Sequence, residues 1–270
     1  MRILALVILV LMSAQVLRAQ QVIGAAAEGA GGTALLSTNP WAAYNNQGAM
    51  AFTNEISAGA WYRNRFLTEG MADQAFAFAL PVRQGTFGLS VHSFGDALFR
   101  RTQAGLSYGM KMSEKFAAGV GLGYQQIAIA EGYGSSSSIL VSAGFLYRMN
   151  QKLSLAGQLQ NINRDIVVTN PEERAPSVLK AGARYTFSEK VSLTAEVWKP
   201  ENIDLGVHAG IEYWPADNVV MLAGVVTNPS LFSFGFGWKK GGFRMDVASS
   251  YHQVLGFSPQ LALNYAFGER

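Results

Sequence analysis

Three histidines, His92, His208 and His252, are the groups of this chain best suited to proton transfer or metal ligation, and they lie far apart in the sequence. His92 and His252, with Asp96 or Ser250 nearby, have the residue types of a hydrolase site at the rim of a barrel. No His-Glu-x-x-His stretch is present to make a zinc helix. The absence of cysteine removes a thiolate metal site, a cysteine nucleophile, a disulfide and a lipidated N-terminus. Three histidines in 270 residues are what polar filling of an interior provides. The reading is no enzyme, no cofactor and no metal.

A second constellation is charged. Lys180, Arg184, Glu196, Asp204, His208, Glu212, Arg244 and Asp246 alternate with apolar neighbours. In Ile203-Asp204-Leu205-Gly206-Val207-His208-Ala209-Gly210-Ile211-Glu212-Tyr213 the odd positions are apolar or aromatic, and the even ones are charged, His or Gly. A period of two separates these faces, whereas helical spacing would mix them. The eight groups then share the inner face of a sheet, as an ion-paired filling or as a polar path or ligand site. On a lipid face each charge would cost about 2–4 kcal/mol at the midplane.

The same alternation runs from about residue 55 to the end. Fourteen runs begin near 55, 74, 86, 100, 116, 137, 152, 176, 190, 203, 219, 231, 243 and 257. Compact turns such as Arg83-Gln84-Gly85, Ser188-Glu189-Lys190 and Lys240-Gly241-Gly242 join them at one end; longer, more varied connections are expected at the other. Tyr108, Tyr147, Tyr185, Tyr213, Trp238 and Tyr265 all fall on the apolar face near the short turns, which describes an interfacial girdle. Only 14% of residues are charged and 49% are hydrophobic, too little charge to cover a water-facing surface. The fold expected is an all-β transmembrane antiparallel barrel of about fourteen strands over 55–270.

Two segments precede the barrel. Residues 1–19 read as a cleaved export signal: Arg2, the apolar run Ile3 to Met12, then Leu17 and Ala19 at the cleavage positions. Losing Arg2 and Arg18 lowers the formal charge from +3 to +1, and no basic run suggests nucleic acid. Residues 20–54 do not alternate. Their small residues, and the turn-rich stretch with Asn39, Pro40, Trp41 and Tyr44, suit a plug that packs against inward glycines. Candidate wall positions are Gly59, Gly88, Gly105, Gly119, Gly121, Gly123, Gly144, Gly182, Gly206 and Gly210, since a strand glycine gains a purpose where another backbone approaches. The other possibility is a periplasmic tail.

Residues 24–51 resemble the N-terminal signature of the FadL-like outer-membrane barrels, a glycine-rich run followed by an Asn-Pro-Ala-Gly-Leu-Ala-type motif. The matching residues are Gly31-Gly32-Thr33-Ala34 and Asn46-Gln47-Gly48-Ala49-Met50-Ala51, with Gln47 in place of proline. The resemblance implies a fourteen-strand barrel with a hatch, in a bacterial outer membrane. In overall pattern the chain is similar to the smaller PorV/PorQ-type branch associated with type IX secretion.

The function expected is therefore a non-enzymatic accessory or scaffold of secretion or surface assembly, with outer-membrane lipid and a secretion-machinery or surface protein as partners. The alternative is a FadL-like channel for a small hydrophobic ligand. Phe66, Leu67, Leu98, Phe99, Leu255 and Phe257 would form an apolar extracellular rim, serving a ligand, a partner or closure of the mouth. Pro81 and Pro259 would mark weak pairing or a lateral opening.

Overall fold

The computed structural model describes residues 22–130, 134–163, 166–167, 176–201 and 203–268. The export signal expected at 1–19 lies outside them. The strands are β1 (Ile56–Asn64), β2 (Ala72–Val82), β3 (Gly85–Gly95), β4 (Phe99–Lys111), β5 (Phe116–Ile129), β6 (Gly134–Arg148), β7 (Leu153–Gln160), β8 (Ile166–Val167), β9 (Val178–Ser188), β10 (Val191–Pro200), β11 (Gly206–Ala216), β12 (Val219–Thr227), β13 (Ser230–Lys240), β14 (Phe243–His252) and β15 (Gly256–Phe267).

Each long strand pairs antiparallel with its neighbours, and β1 closes onto β15 from Ile56↔Phe267 to Arg63↔Gln260. The two residues of β8 are an appendage on Ser138 and Ile139 of β6, while β7 pairs directly with β9. The result is a closed barrel of fourteen long strands, each beginning within three residues of the position read from sequence. Closure gives every strand two neighbours, as a sheet in hydrocarbon requires.

The period of two decides what each face meets. On β11, Val207, Ile211 and Tyr213 are exposed while His208 and Gly210 are buried. Leu106, Val120, Leu122, Phe145, Leu179, Phe232, Phe234 and Phe236 are likewise exposed, forming an apolar outer belt. The six expected girdle aromatics lie on this face, and several stack with a neighbour near the short-turn end. Ring centroids are 4.8 Å apart for Phe87–Tyr108 and Tyr185–Phe187, and 4.9 Å for Tyr265–Phe267.

Two expectations change here. The connections opposite the short turns are not uniformly long: β12 and β13 are joined by Asn228-Pro229 alone, and β3 and β4 by residues 96–98. Their ladders continue up to the turn and leave no chain for a loop. Pro81 and Pro259 mark no opening, since both lie in unbroken registers, Pro81↔Thr86 and Ser249↔Pro259.

Residues 22–53 are packed inside the barrel. Three short helices, α1 (Ala25–Gly29), α2 (Ala42–Asn45) and α3 (Gln47–Met50), touch the inner wall, α1 at β12–β15 and α3 at β3–β6. Such short helices are marginal alone; here surrounding strands hold them. Leu35, Ala42, Ala49 and Met50 share a buried cluster with Ala79, Ala117, Leu146 and Ala156 of the wall.

Candidate functional site

The closest contacts between segment and wall are backbone on backbone. A Cβ at Gly210 would collide with Ala30, and one at Gly224 with Ala30 and Gly31. Gly31 itself has φ +73°, a conformation few other residues adopt. Of the ten wall glycines read from sequence, Gly59, Gly88, Gly119, Gly121, Gly144 and Gly210 meet this segment. Gly105, Gly123 and Gly182 face wall side chains instead.

The Asn-rich stretch works through its amides. Asn46 is fully buried; its Nδ2 donates to Leu35 O at 2.7 Å and to Phe145 O of the wall at 3.0 Å. Its Oδ1 accepts Gly48 N–H at 3.0 Å and so caps α3. Asn45 Nδ2 donates to Ile23 O at 2.8 Å, drawing the start of the segment against its end. Gln47 accepts from Gln158 Nε2 at 3.2 Å. Asn39 accepts Trp41 N–H at 3.1 Å ahead of α2, with Pro40 between them.

The charged residues read from sequence form three groups rather than one ladder. In the first, Glu196 accepts Leu35 N–H and Trp198 Nε1–H, each at 2.9 Å. His208 stacks on Trp198 with centroids 4.2 Å apart, and its Nδ1–H donates to Gly31 O at 2.9 Å. The Lys180 ammonium lies 3.8 Å over the Trp198 ring. In the second group Arg184 bridges Thr194 Oγ1 at 2.9 Å and Glu212 at 2.8 Å. In the third, Arg244 pairs with Asp246 at 2.8 Å. Asp204 joins none of them; it is exposed in the connection before β11, because the strand starts only at Gly206.

A fourth cluster went unread in the sequence. Asp73 is wholly buried on β2 and accepts from Arg63 at 2.9 Å, from Arg65 at 2.6 and 2.9 Å and from His92 at 2.9 Å. Arg63 also holds Glu28 of α1 at 2.6 Å. Inward alternation of Arg63, Asp73 and His92 was available as a signal. Arg65 lies beyond the end of β1 and Glu28 within the segment, where no period applies. His92 is thus committed to Asp73, whereas Asp96 caps an exposed loop by accepting Leu98 N–H at 2.8 Å and Phe99 N–H at 3.1 Å.

Gly105-Leu106-Ser107-Tyr108-Gly109 has the spacing of a nucleophile elbow, but it runs straight through β4, with no strand-to-helix turn. Ser107 Oγ meets Met50 Sδ at 3.6 Å. Among the described residues no group of three or more His, Asp or Glu could hold a metal ion.

The apolar rim divides. Phe66 packs edge-on against His252 with centroids 6.2 Å apart, and Phe99 against Phe94 at the same separation. Leu67, Leu98 and Leu255 are 67%, 61% and 50% exposed. Phe257, the second residue of β15, lies next to the turn that carries Leu255 and on the outer face with Leu261 and Leu263. Inside, the cavity between α2, α3 and β3–β7 holds about 30 Å³ and is lined by Tyr44, Gln47, Ser90, Gln103 and Ser142 among others. Around it, residues 22–53 reach the inner wall on both sides of the barrel.

The fold is a closed transmembrane β-barrel, with residues 22–53 packed against its inner wall. The chain is similar in structure to the toluene transporter TbuX of Ralstonia pickettii (TM-score 0.67, 12% identity, covering 92% of this chain and 99% of that one). A FadL homologue of Pseudomonas aeruginosa gives a TM-score of 0.69 at 13% identity, covering 93% and 99% of the two chains. The toluene transporter TodX of Pseudomonas putida gives 0.63 at 11%, covering 92% and 97%. At these identities the likeness establishes a shared fold, the closed fourteen-strand barrel of FadL-type proteins. No protein-family model matches the chain, and no curated protein matches it in sequence.

Proposed function

We propose that this protein is a FadL-like channel of the bacterial outer membrane for small hydrophobic molecules, drawn in its closed state, with residues 20–54 as its hatch and residues 1–19 as a cleaved export signal. The carrying observation is the way the lumen is closed. Small residues of the segment lie against wall glycines, and a few polar clamps hold them. A wall built to support itself would fill its own interior with large side chains; this wall leaves room for a separate piece. The exposed Leu67, Leu98 and Leu255 give an apolar ligand a first contact at the mouth. The shared fold with hydrocarbon transporters supports the same reading.

A second reading, a PorV/PorQ-type accessory of secretion, rests on the segment packed against the inner wall: a scaffold needs no passage. Uptake separates the two. Vesicles carrying the full chain should take up a labelled monoaromatic hydrocarbon faster than empty vesicles. Deleting 24–51 should raise ion conductance and abolish selectivity among solutes. Uptake equal to that of empty vesicles would sink the channel and leave the scaffold.

A further inference from the structure

One broad concavity of the described residues lies outside the lumen. It is a trough of about 640 Å³ on the outer wall across β4, β5, β6, β7 and β9. Its floor is one row of cross-strand partners: Met110↔Ala118, Ala118↔Phe145, Phe145↔Gly157 and Gly157↔Ala181. Three of these five residues are Ala or Gly, and Ala143 continues the hollow in the adjoining row. The Phe145 ring lies over Gly157, where a Cβ would overlap it. At the usual strand separation five strands give the row a length of about 19 Å.

The wall is dented for a reason visible on its other side. Behind Ala118 and Phe145 stand Gly119 and Gly144, and the backbone of Gln47 and Gly48 and the side chain of Asn46 press directly on them. One layer of backbone separates the trough from α3. With glycine inside and mostly small residues outside, the sheet sits close to the plug, and the outer belt is hollow there.

The short-turn end of the same sector is basic. Lys115, between β4 and β5, and Lys152, between β6 and β7, are both exposed. Lys111 and Arg148 turn towards the Phe52 ring, at 5.2 and 3.9 Å. Glu114 is the sole carboxylate in these two turns. An apolar trough within the membrane belt, under a cationic rim at the aromatic girdle, complements a molecule with a long apolar chain and an anionic head.

We propose that this trough holds an acyl chain of an anionic phospholipid, whose phosphate is met by Lys115 and Lys152. The inference needs only the transmembrane barrel and is independent of what crosses the lumen. It is tested on the purified full chain in mild detergent by native mass spectrometry with added palmitoyl-oleoyl phosphatidylglycerol or the phosphatidylcholine of the same chains. One phosphatidylglycerol should be retained, with a preference over phosphatidylcholine of roughly tenfold or more. Lys115→Gln with Lys152→Gln should bring that preference to near unity while some lipid still binds. Ala143→Trp, which fills the hollow, should lose both lipids.

Equal retention of the two lipids by the unsubstituted chain would overturn the proposal, as would phosphatidylglycerol retention unchanged in Ala143→Trp. A dimer that Ala143→Trp dissociates would assign the trough to a second copy, and also overturn it. Should Ala143→Trp lose the heat-modifiable mobility of a folded barrel, the lysine pair decides alone: a preserved preference refutes the site.

Discussion

The cluster around Asp73 and the cluster around Glu196 hold opposite sides of the same segment by different means. At Asp73 the wall supplies most of the partners: Arg63, Arg65 and His92 converge on one carboxylate, and Arg63 carries the contact on to Glu28 of the segment. At Glu196 the wall addresses the segment's backbone, through Leu35 N–H and Gly31 O. The first is a structural knot tethered to the segment through Glu28. The second grips a conformation. The difference teaches that charge inside a barrel need not be one network with one purpose.

The most damaging way to break the contrast is Asp73→Ala. It leaves two arginines and a histidine facing one another in a buried site, so a loss of about 3–5 kcal/mol is expected. Denaturant unfolding of the detergent-solubilised barrel measures it; a loss under 1 kcal/mol would refute the knot. Glu196→Gln comes next. The Leu35 and Trp198 N–H groups meet different oxygens of Glu196, so the amide NH2 faces one of these donors in place of an acceptor, which costs about 1–3 kcal/mol. Conductance in planar bilayers should rise as residues 31–35 loosen.

Glu28→Gln should be milder, about 1–1.5 kcal/mol, because Arg63 keeps Asp73. Combining Glu28→Gln with Glu196→Gln sharpens the comparison. Independent clamps predict additivity within about 0.5 kcal/mol, and a larger coupling would show one network after all.

The smallest effect belongs to Asp96, outside both clusters. The backbone N–H groups of Phe99 and Leu98 hold its carboxyl below the ordinary carboxylate range. A depressed folded pKa gives stability that is present above the unfolded value and lost as pH falls through the folded one. Asp96→Asn should therefore lower stability by a small amount that stays constant between about pH 5 and 8, and the difference from the unsubstituted chain should shrink on the acid side of the carboxylate range. A slope across neutral pH traced to this residue would refute the assignment.

The barrel was legible because lipid outside and a packed interior inside impose a strict period of two. The same rule found Lys180, Glu196, His208 and Glu212 on one inner face. It failed at the edges of its domain. Asp204 kept the alternation past the end of a strand. Glu28 could not be paired with Arg63, because nothing in a non-periodic segment tells which wall strand a side chain will face. The wall glycines were informative for the same reason that they misled at Gly105, Gly123 and Gly182: an absent side chain marks a close approach without naming what approaches.

The seam between β1 and β15 carries a further consequence, for the order of assembly. Residues 22–53 run directly into β1, yet they touch β12, β13 and β14, which are synthesised last among the long strands before β15. Once β15 has paired with β1, strands surround the segment on every side, and it can pass only through an end of the cylinder. The chain must therefore either wrap its late strands around an early piece already in position, or thread that piece in afterwards from the short-turn end. A sequence rich in Ala and Gly, with little local structure of its own, is suited to both routes, since it can wait without a fixed shape until its container exists.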